Sequence, residues 1–406
     1  MIIRRQYIQR ITPFIGKPFV KIISGIRRCG KSTLLMMIKE ELINRGVSPS
    51  QVVYMNFESF EWAEIDSAKK LYSHIKSTIK DSEKKYYILL DEIQEIRQWE
   101  KAVNSFMVDL NVDIYITGSN SRLLSSELAT YLTGRYVEID MYPLSFSEVI
   151  EFQETQSPRS MVDRKSAFQN YLRLGGFPSL HTASYSTEDA YKIVYDIYSS
   201  VILRDTIQRH NIRNLELLER VVKYVFDNVG NIFSAKKVAD YFKSQQRKID
   251  INTVYNYLDA LEGAFIIYRT PRFDIKGKEI LKTNEKYFVG DQALIYGVLG
   301  YKDRMISGIL ENIVMLELKR RGYNVFVGKL GDREVDFIAE KKGERIYIQV
   351  VYKLSDEKVI EREFSVFSGI RDHYPKYVVS MEDTWSESIE GVLHKHISDF
   401  LLMKSY

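Results

Sequence analysis

The sequence predicts an α/β protein whose first third is a parallel, doubly wound sheet. Five segments rich in β-branched and aromatic residues alternate there with helical patterns, which is typical of strands that pair in parallel. The segments are FVKIISG (19–25), QVVYMNFE (51–58), KYYILLDE (85–92), NVDIYITGSN (111–120) and YVEIDMYPL (136–144). Ligands bind beyond the carboxyl ends of such strands, so this edge is where a site is expected.

Composition places the chain among globular proteins. Its 406 residues exceed one ordinary domain, and about two to four domains are expected at this length. Hydrophobic residues make up 45% of the chain and only 8 residues are Pro, which favours packed cores. No segment approaches the roughly 20 apolar residues of a membrane span, and the initial MIIRRQYIQRI lacks the apolar stretch of a signal peptide. We therefore expect a cytoplasmic protein without membrane contact, whose net charge of +4 permits a polyanionic partner.

A phosphate-binding loop is predicted between the first strand and the helical pattern TLLMMIKEEL. Backbone N–H groups of such a loop surround a β-phosphate, while Lys31 reaches the β and γ oxygens and the Ser32 hydroxyl ligates Mg²⁺. The predicted nucleotide-binding residues are Gly25, Ile26, Arg27, Arg28, Cys29, Gly30, Lys31, Ser32 and Thr33. Cys29, the single cysteine of the chain, is interpreted as a small loop-filling residue, with a redox-sensitive thiol as the alternative. A phosphate-binding loop between a strand and a helix predicts that the parallel sheet is that of a P-loop NTPase.

Two adjacent carboxylates end the third predicted strand. Asp91 and Glu92 follow the apolar and aromatic run YYILL, so both are expected at the same sheet edge as the phosphate loop. Asp91 is predicted to hold the hydration shell of Mg²⁺, and Glu92 to polarise the water that attacks the γ-phosphate. The alternative is a strand that ends in solvated acids. The loop upstream favours the catalytic interpretation.

Two further segments supply candidate catalytic side chains. The fourth strand ends in TGSN (117–120), and the order of elements resembles the additional-strand P-loop ATPases. In that class a polar residue at the end of the inserted strand senses the γ-phosphate, which nominates Ser119 or Asn120; a turn is the alternative. Arg135 precedes the last strand and is a candidate arginine finger toward a nucleotide in its own or a neighbouring subunit. A solvent-facing arginine is the alternative, and a finger in a neighbouring subunit requires a homo-oligomer.

Five motifs together carry a family resemblance. They are GIRRCGKSTLL, ILLDEIQ, ITGSNSRLL, LTGRYVEIDMYPLSFSEV and YLRLGGFPSL. In combination they resemble the archaeal and bacterial AAA-like ATPases, additional-strand P-loop proteins that carry a C-terminal domain of the DUF4143 type. The resemblance spans nearly the whole chain and implies ATP, with Mg²⁺, as the nucleotide. The sequence shows no NKxD-like guanine motif near the expected strand, which agrees with ATP.

The middle of the chain is predicted to form a helical lid over 156–214, followed by a winged helix over 215–275. Apolar residues at helical spacing indicate the lid, in which Gly175-Gly176 is either a hinge or an ordinary helix stop. FSAKKVADYF and IDINTVYNYLDALEGAFII resemble a helix-turn-helix whose last helix enters a DNA major groove. The predicted DNA contacts are Asn252, Thr253, Tyr255 and Asn256 for bases and Lys236, Lys237, Lys243, Arg247 and Lys248 for phosphates. A protein-interaction or dimerisation module is the alternative.

The last segment, 276–406, resembles the PD-(D/E)xK nucleases, which have a restriction-endonuclease-like α/β fold. Glu311 on a predicted helix and Asp336 on a predicted strand match two of the metal ligands of those enzymes. The next acidic position is Gln349, which is neutral, and Val351 stands where a lysine is expected. Hard cations need charged oxygen ligands. We therefore expect a doubtful second metal site and a fold that binds nucleic acid or a partner without cutting.

Two nearby residues keep a nuclease open as an alternative. Lys353 lies two residues beyond Val351 and would share its strand face. Glu334 could stand near Asp336 and supply a further carboxylate.

These predictions combine into a Mg²⁺-dependent ATPase with ATP and ADP as ligands and duplex DNA as a candidate partner. Hydrolysis would drive or gate the C-terminal DNA-contacting domains. One alternative is a slow nucleotide-gated switch that acts through protein partners; another is an ATP-regulated DNA nuclease. The predicted domains are the ATPase core (1–155), the lid (156–214), the winged helix (215–275) and the nuclease-like domain (276–406).

Overall fold

A computed structural model of the chain describes residues 3–120, 131–132, 134–156, 163–210, 212–244, 249–382 and 388–406. The chain divides into two compact units. The first unit comprises Met1–Met141 and Gly263–Phe265, and the second comprises Tyr142–Glu262 and Ile266–Tyr406.

The first unit is built on a five-stranded parallel sheet, as the sequence predicts. The strands are β1 (Val20–Ser24), β2 (Val52–Asn56), β3 (Tyr86–Asp91), β4 (Val112–Gly118) and β5 (Tyr136–Asp140). Their order is β2-β3-β4-β1-β5, and every neighbouring pair is parallel. The helices are α1 (Arg5–Ile11), α2 (Lys31–Asn44), α3 (Ala68–Thr78) and α4 (Trp99–Asp109).

Burial on both faces explains why the inner strands read as continuous apolar runs. All five residues of β1 are buried, as are five of the six in β3. This is the pattern of a parallel sheet covered by helices on both sides. Ile22, Leu90, Ile116 and Phe106 belong to one buried cluster that joins three strands to α4. The packing aligns the carboxyl ends of β1, β3 and β4 at one edge, with β4 between the other two.

The second unit contains a mixed eight-stranded sheet in the order β12-β13-β11-β10-β9-β8-β6-β7. Its strands are β6 (Ile267–Asp274), β7 (Glu279–Val289), β8 (Asn324–Leu330), β9 (Arg333–Lys341), β10 (Glu344–Val351), β11 (Lys376–Ser380), β12 (Ser388–Ile389) and β13 (Val392–His396). Its helices are α5 (Phe146–Gln156), α6 (Arg164–Leu174), α7 (Thr187–Val201), α8 (Leu215–Asp227), α9 (Ala235–Ser244), α10 (Ile251–Gly263), α11 (Gln292–Leu299), α12 (Ile306–Arg320), α13 (Glu357–Ser365) and α14 (Ile397–Leu402), with a π-helical turn at Ile202–Gln208.

The predicted domain boundary between residues 275 and 276 stays a prediction, and it coincides with a turn inside one sheet. It falls in the turn that joins β6 to β7, two antiparallel strands of one hairpin. The same hairpin continues into the rest of the sheet, because β6 pairs in parallel with β8 from Arg272 to Asp274. The order of α8, α9 and α10 followed by a hairpin agrees with a winged helix. That interpretation, like the lid, stays a prediction.

The glycine pair of the YLRLGGFPSL motif is required by close packing within the second unit. Gly175 has φ of +68°, and a Cβ there would lie 1.8 Å from Asp291 Oδ1. A Cβ on Gly176 would lie 2.2 Å from the carbonyl oxygen of Leu144. The Asp291 carboxylate accepts hydrogen bonds from the N–H groups of Gly176 (2.7 Å) and Ala293 (2.9 Å). This packing favours the helix stop over the hinge.

Within the described residues, no helix combines the length and the apolar character that crossing a bilayer requires.

Candidate active site

The phosphate loop connects β1 to α2 at the carboxyl edge of the parallel sheet. Gly30, the residue before α2, has φ of 105°, a conformation that favours glycine. Gly25 has φ of +154°, and a Cβ at this position would lie 2.1 Å from the carbonyl oxygen of Met141. The loop can therefore fold closely against the chain after β5 only because residue 25 lacks a side chain.

The buried Lys31 side chain folds back over this loop. Its Nζ donates hydrogen bonds to the carbonyl oxygens of Gly25 (3.0 Å) and Ile26 (3.4 Å). The same nitrogen lies 3.6 Å from Oε1 of Glu92, which is also buried. The structure thus brings together the predicted phosphate-binding lysine and the predicted catalytic carboxylate.

Asp91, at the end of β3, is surrounded by hydroxyl groups. Oδ2 accepts a hydrogen bond from the Tyr54 hydroxyl (3.1 Å), and Oδ1 accepts one from Thr117. The Ser32 hydroxyl also interacts with this carboxylate. Burial raises the pKa of Asp91 above its usual value, while interactions with the hydroxyl groups of Thr117, Ser32 and Tyr54 oppose the shift. Ser32 and Asp91, the two predicted Mg²⁺ ligands, therefore lie side by side.

Glu92 is held by its backbone as well as by its side chain. Its φ of 53° is unusual for a residue other than glycine. Its N–H donates to Oγ1 of Thr117 at 3.0 Å, and its Oε2 accepts a hydrogen bond from the amide of Gln94. The sharp turn after Asp91 directs the two neighbouring carboxylates to different partners. A carboxylate restrained in this way is suited to orient a water molecule.

Thr117 links β4 to both acidic residues, a role that the sequence pattern does not single out. One hydroxyl donates to Asp91 and accepts from the Glu92 N–H. The predicted sensor residues, Ser119 and Asn120, follow directly after β4 and are buried, with 0% and 2% exposure. Their position at the end of the strand next to β1 agrees with the prediction, whereas sensing itself stays a prediction.

Arg135 lies at the opposite edge of the sheet from the phosphate loop. Its carbonyl oxygen accepts a hydrogen bond from the N–H of Val20, the first residue of β1 (3.0 Å). Its Nη2 donates to Oδ1 of Asn104 on α4 (3.1 Å). The length of β1, roughly 16 Å at about 3.3 Å per residue, separates this arginine from the loop. A finger toward the nucleotide of the same chain is therefore wrong, and contact with a second chain stays a prediction.

Cys29 is a packed residue of the loop, and the redox alternative is wrong on this geometry. Its Sγ lies 3.5 Å from the carbonyl oxygen of Met141, and the side chain is fully buried. Burial raises the pKa of the thiol, which disfavours the reactive thiolate. Arg4, which the sequence patterns do not identify, donates from Nη1 to the Cys29 carbonyl oxygen (3.2 Å) and is 4% exposed. The segment before α1 thus contacts the phosphate loop.

Replacing Gly25 by Ala is expected to destabilise the first unit and to lower ATP affinity at least about tenfold. The new Cβ would meet the Met141 carbonyl oxygen at 2.1 Å, so the loop would have to leave its phosphate-binding conformation. Gly46→Ala is the matched control, because Gly46 also has positive φ (+90°), but a Cβ added to it would have no atom of the described residues within 4 Å apart from those of Gly46 and its chain neighbours. A fluorescence titration of nucleotide binding measures the effect. Equal losses of ATP affinity in the two variants would contradict the prediction.

The predicted DNA-contacting residues lie on the surface of the second unit. Asn252, Tyr255 and Asn256 on α10 are exposed, and Thr253 is partly buried. Lys236, Lys237 and Lys243 are exposed on α9, together with Asp240. Arg247 and Lys248 lie outside the described residues. The surface is accessible and of mixed charge, so DNA contact stays a prediction.

The predicted nuclease residues are neighbours, but a lysine lies among them. Glu311 on α12 and Asp336 on β9 both contact Nζ of Lys286 on β7, at 3.0 and 3.4 Å. Glu334 Oε1 also lies 2.9 Å from Lys286 Nζ, which agrees with the predicted position of Glu334 near Asp336. Gln349 on β10 accepts a hydrogen bond from the Asp336 N–H at 3.2 Å. Within the described ranges, no group of three or more His, Cys, Asp or Glu side chains is arranged to hold a metal ion.

Lys353 does not take part in this cluster. It lies beyond the end of β10, is exposed, and has its Nζ 5.2 Å from the ring centroid of Tyr352. The alternative in which Lys353 supplies the lysine expected at Val351 is therefore wrong. The sequence patterns do not identify Lys286 as part of this cluster. That its strand, β7, belongs to the same sheet as β9 and β10 is visible only in the folded chain.

Two family models match the chain. The first is described as an AAA domain and covers residues 17–150, which supports an AAA-like ATPase. The second is described as a domain of unknown function, DUF8612, and covers residues 165–304. The family resemblance implied a DUF4143-type domain, and the model that matches is DUF8612.

Similar proteins occur in bacteria and archaea. An uncharacterized protein of Haemophilus influenzae is 39% identical over 402 residues, which are 99% of this chain and 99% of that protein. The uncharacterized protein MJ1544 of Methanocaldococcus jannaschii is 31% identical, over 87% of this chain and 79% of its own length. The structure of a Walker-type ATPase of Pyrococcus abyssi has a TM-score of 0.52 at 16% identity, over 73% of this chain and 96% of that one. That likeness supports a P-loop ATPase fold. The chain therefore belongs to the AAA-domain protein family that includes these Haemophilus and Methanocaldococcus proteins.

Proposed function

We propose that the AAA domain hydrolyses ATP with Mg²⁺, by attack of water on the γ-phosphate. The observation that carries this proposal is the meeting of four groups at one sheet edge. Lys31 is 3.6 Å from Glu92, and the Ser32 hydroxyl interacts with the Asp91 carboxylate. A phosphate clamp, a pair of hard-cation ligands and a restrained carboxylate are the groups that phosphoryl transfer to water requires.

The residues around the loop fit a nucleotide with its metal ion. The Ser32 hydroxyl and the Asp91 carboxylate supply the oxygen ligands that Mg²⁺ prefers, directly or through water. Support comes from the interaction of the Ser32 hydroxyl with the Asp91 carboxylate. When bound, Mg²⁺ supplies positive charge to the β and γ oxygens of ATP. The N-terminus of α2 and the backbone after Gly25 supply the N–H groups that bind the phosphates.

The side chains around the nucleotide would have separate roles in the reaction. Lys31, now hydrogen-bonded to the Gly25 and Ile26 carbonyl oxygens, would extend to the phosphate oxygens. Release from Lys31 would leave the Glu92 carboxylate as the acceptor for the proton of the attacking water. Thr117 would keep Glu92 and Asp91 in place through its two hydrogen bonds. Ser119 and Asn120 would contact the γ-phosphate from the end of β4.

Replacing Lys31 by Ala is expected to reduce phosphate release from ATP by about 10²-fold or more, as loss of a transition-state clamp does. Lys69→Ala is the matched control, because Lys69 is an exposed lysine of the same unit. The measurement is a phosphate-release assay with ATP and Mg²⁺. Retention of wild-type turnover by the Lys31 variant would sink the proposed site.

We further propose duplex DNA as the partner of the second unit. Support comes from the exposed Asn252, Tyr255 and Asn256 on α10 and from the exposed lysines of α9. In the same assay, duplex DNA would raise phosphate release, and Asn256→Ala would diminish that increase. Turnover that is slow and indifferent to DNA would favour the second candidate below.

The second candidate is a nucleotide-gated switch that acts through a protein partner. The Lys31–Glu92 ion pair at 3.6 Å favours it. While this pair persists, the clamp and the carboxylate neutralise each other, and only phosphate oxygens that draw Lys31 away would separate them. Nucleotide binding would then change the loop even where hydrolysis is slow.

A further inference from the structure

The nuclease-like part of the second unit has a cation of its own at its centre. Lys286, on β7, has a side chain that is 3% exposed. Its Nζ lies 3.0 Å from Glu311 Oε2, 2.9 Å from Glu334 Oε1 and 3.4 Å from Asp336 Oδ1. The three carboxylates come from α12 and β9, so the ammonium group joins three separate elements.

Two of the other oxygens of this cluster are also engaged by the protein. Asp336 Oδ2 accepts a hydrogen bond from the N–H of Val350 at 2.9 Å. Glu334 Oε2 lies 3.6 Å from Nη2 of Arg272. Asp336 and Glu334 thus have further partners besides Lys286, which offset part of the cost of burying their charges.

Gln349 replaces the carboxylate that would complete a metal site. Its Oε1 accepts the N–H of Asp336 at 3.2 Å, and its Nε2 donates to Glu363 Oε2 at 2.9 Å. The amide is therefore committed at both ends, and the side chain that a nuclease would direct at the metal instead stabilises β9 and α13. A neutral group here lowers the negative charge available to a divalent ion.

Charge and distance exclude a divalent ion from the centre of the cluster while Lys286 remains there. Mg²⁺ binds its oxygens at about 2.0–2.1 Å, and the ammonium already lies between the same oxygens. Three carboxylate oxygens within 3.4 Å of Lys286 Nζ supply the negative charge that an ammonium group at this place requires.

We propose that Lys286 is the permanent cation of this nuclease-like core, in the place that a divalent metal ion would otherwise take. The core then binds neither Mg²⁺ nor Mn²⁺ at this position and does not cleave phosphodiesters. Removing the ammonium would expose Glu311, Glu334 and Asp336 to an incoming divalent cation. This inference concerns the second unit and is independent of ATP hydrolysis by the first.

One member of the cluster borders a cavity in the same unit. The cavity has a volume of about 280 Å³ and is lined by Glu311 together with polar groups of the turn after α8 and the start of α12. Asn228, Asn231 and Ser307 are among them. An ion from solvent could therefore approach Glu311 from this side.

The test is a titration of nucleotide-free protein with Mn²⁺, followed by the loss of the free-ion EPR signal. Lys286→Ala is expected to bind about one Mn²⁺ per chain, and its melting temperature should rise with Mn²⁺. Adding Asp336→Asn to that variant should abolish both effects. The wild type and the control Lys276→Ala, which removes an exposed lysine of the same hairpin, should show neither. A folded Lys286→Ala protein that binds no Mn²⁺ would overturn the proposal.

The wild-type protein provides a second test that does not depend on the folding of Lys286→Ala. Binding of Mn²⁺ by the wild type that disappears in Asp336→Asn would show that the carboxylates already hold metal and would overturn the proposal. Plasmid cleavage in Mg²⁺ or Mn²⁺ that Asp336→Asn abolishes would do the same, and would indicate that Lys286 acts as the lysine of an active nuclease. Absence of both Mn²⁺ binding and plasmid cleavage in the wild type supports Lys286 as the cation of this core.

Discussion

Glu92→Gln is expected to lower the rate of ATP hydrolysis by about 10²- to 10⁴-fold, the range typical of a lost general base. The amide has the size of the carboxylate, so it can keep the contact with Gln94 but cannot accept a proton from water. ATP binding should persist, because the phosphate loop and Ser32 are unchanged. Affinity should even increase slightly, since Lys31 loses the carboxylate 3.6 Å away that competes with phosphate for it.

The experiment combines a phosphate-release assay with a nucleotide-binding titration of the same preparation. Glu95→Gln serves as the matched control, because Glu95 is an exposed carboxylate only three residues further along the chain. The control should retain wild-type turnover. Wild-type turnover in Glu92→Gln would remove Glu92 from the mechanism, whereas loss of both turnover and binding would indicate a structural role.

Asp113→Ala is expected to destabilise the first unit by about 3–5 kcal/mol, the usual cost of breaking a buried ion pair. Asp113 on β4 and Lys21 on β1 form a salt bridge with side chains 1% and 0% exposed. Asp113 Oδ2 also accepts hydrogen bonds from the Gly16 N–H (2.7 Å) and the Tyr115 hydroxyl (2.9 Å). Burial lowers the pKa of Lys21, and Asp113 opposes this shift. Loss of the Asp113 carboxylate would leave Lys21 in the core with no counter-charge from Asp113.

Denaturant unfolding followed by tryptophan fluorescence measures this change. Asp66→Ala is the control, since Asp66 pairs with Lys70 at 3.0 Å on the surface, with exposures of 46% and 57%. An exposed pair is worth at most about 1 kcal/mol. The double variant Lys21→Met/Asp113→Leu should recover much of the lost stability, because it buries no unpaired charge. Equal destabilisation by Asp113→Ala and Asp66→Ala would contradict the prediction.

Local patterns were sufficient to predict the framework of the first unit. Each strand of the parallel sheet lies within its predicted segment, since buried parallel strands are continuous apolar runs. The phosphate loop was recognisable because its glycines, Lys31 and Ser32 are contiguous and act through the backbone between them. The predicted sheet edge also placed Asp91 and Glu92 near that loop, although their hydrogen-bond partners could not be read from spacing.

Predictions failed where a position depends on the neighbouring strand. Arg135 follows the phosphate loop in sequence order, yet the parallel pairing of β1 and β5 places it at the other edge of the sheet. The boundary at 275, which stays a prediction, coincides with the turn of a hairpin, because turn residues look alike within a domain and between domains. Lys286 is an ordinary lysine in a strand-like segment, and nothing local distinguishes it from an exposed one.

The sequence by itself determined the nucleotide-binding loop, the order of strands and helices in the first unit, and the loss of a carboxylate at Gln349. These features are encoded by contiguous residues, whose periodicity and backbone requirements act over short distances. Only the tertiary structure decided which distant side chains meet. Thr117 bridges Asp91 and Glu92 because β4 is inserted beside β3. Lys286 contacts carboxylates of α12 and β9 although β6 and β8 lie between β7 and β9 in the sheet order. Sheet order is set by the packing of the whole core, so these contacts became visible only in the folded chain.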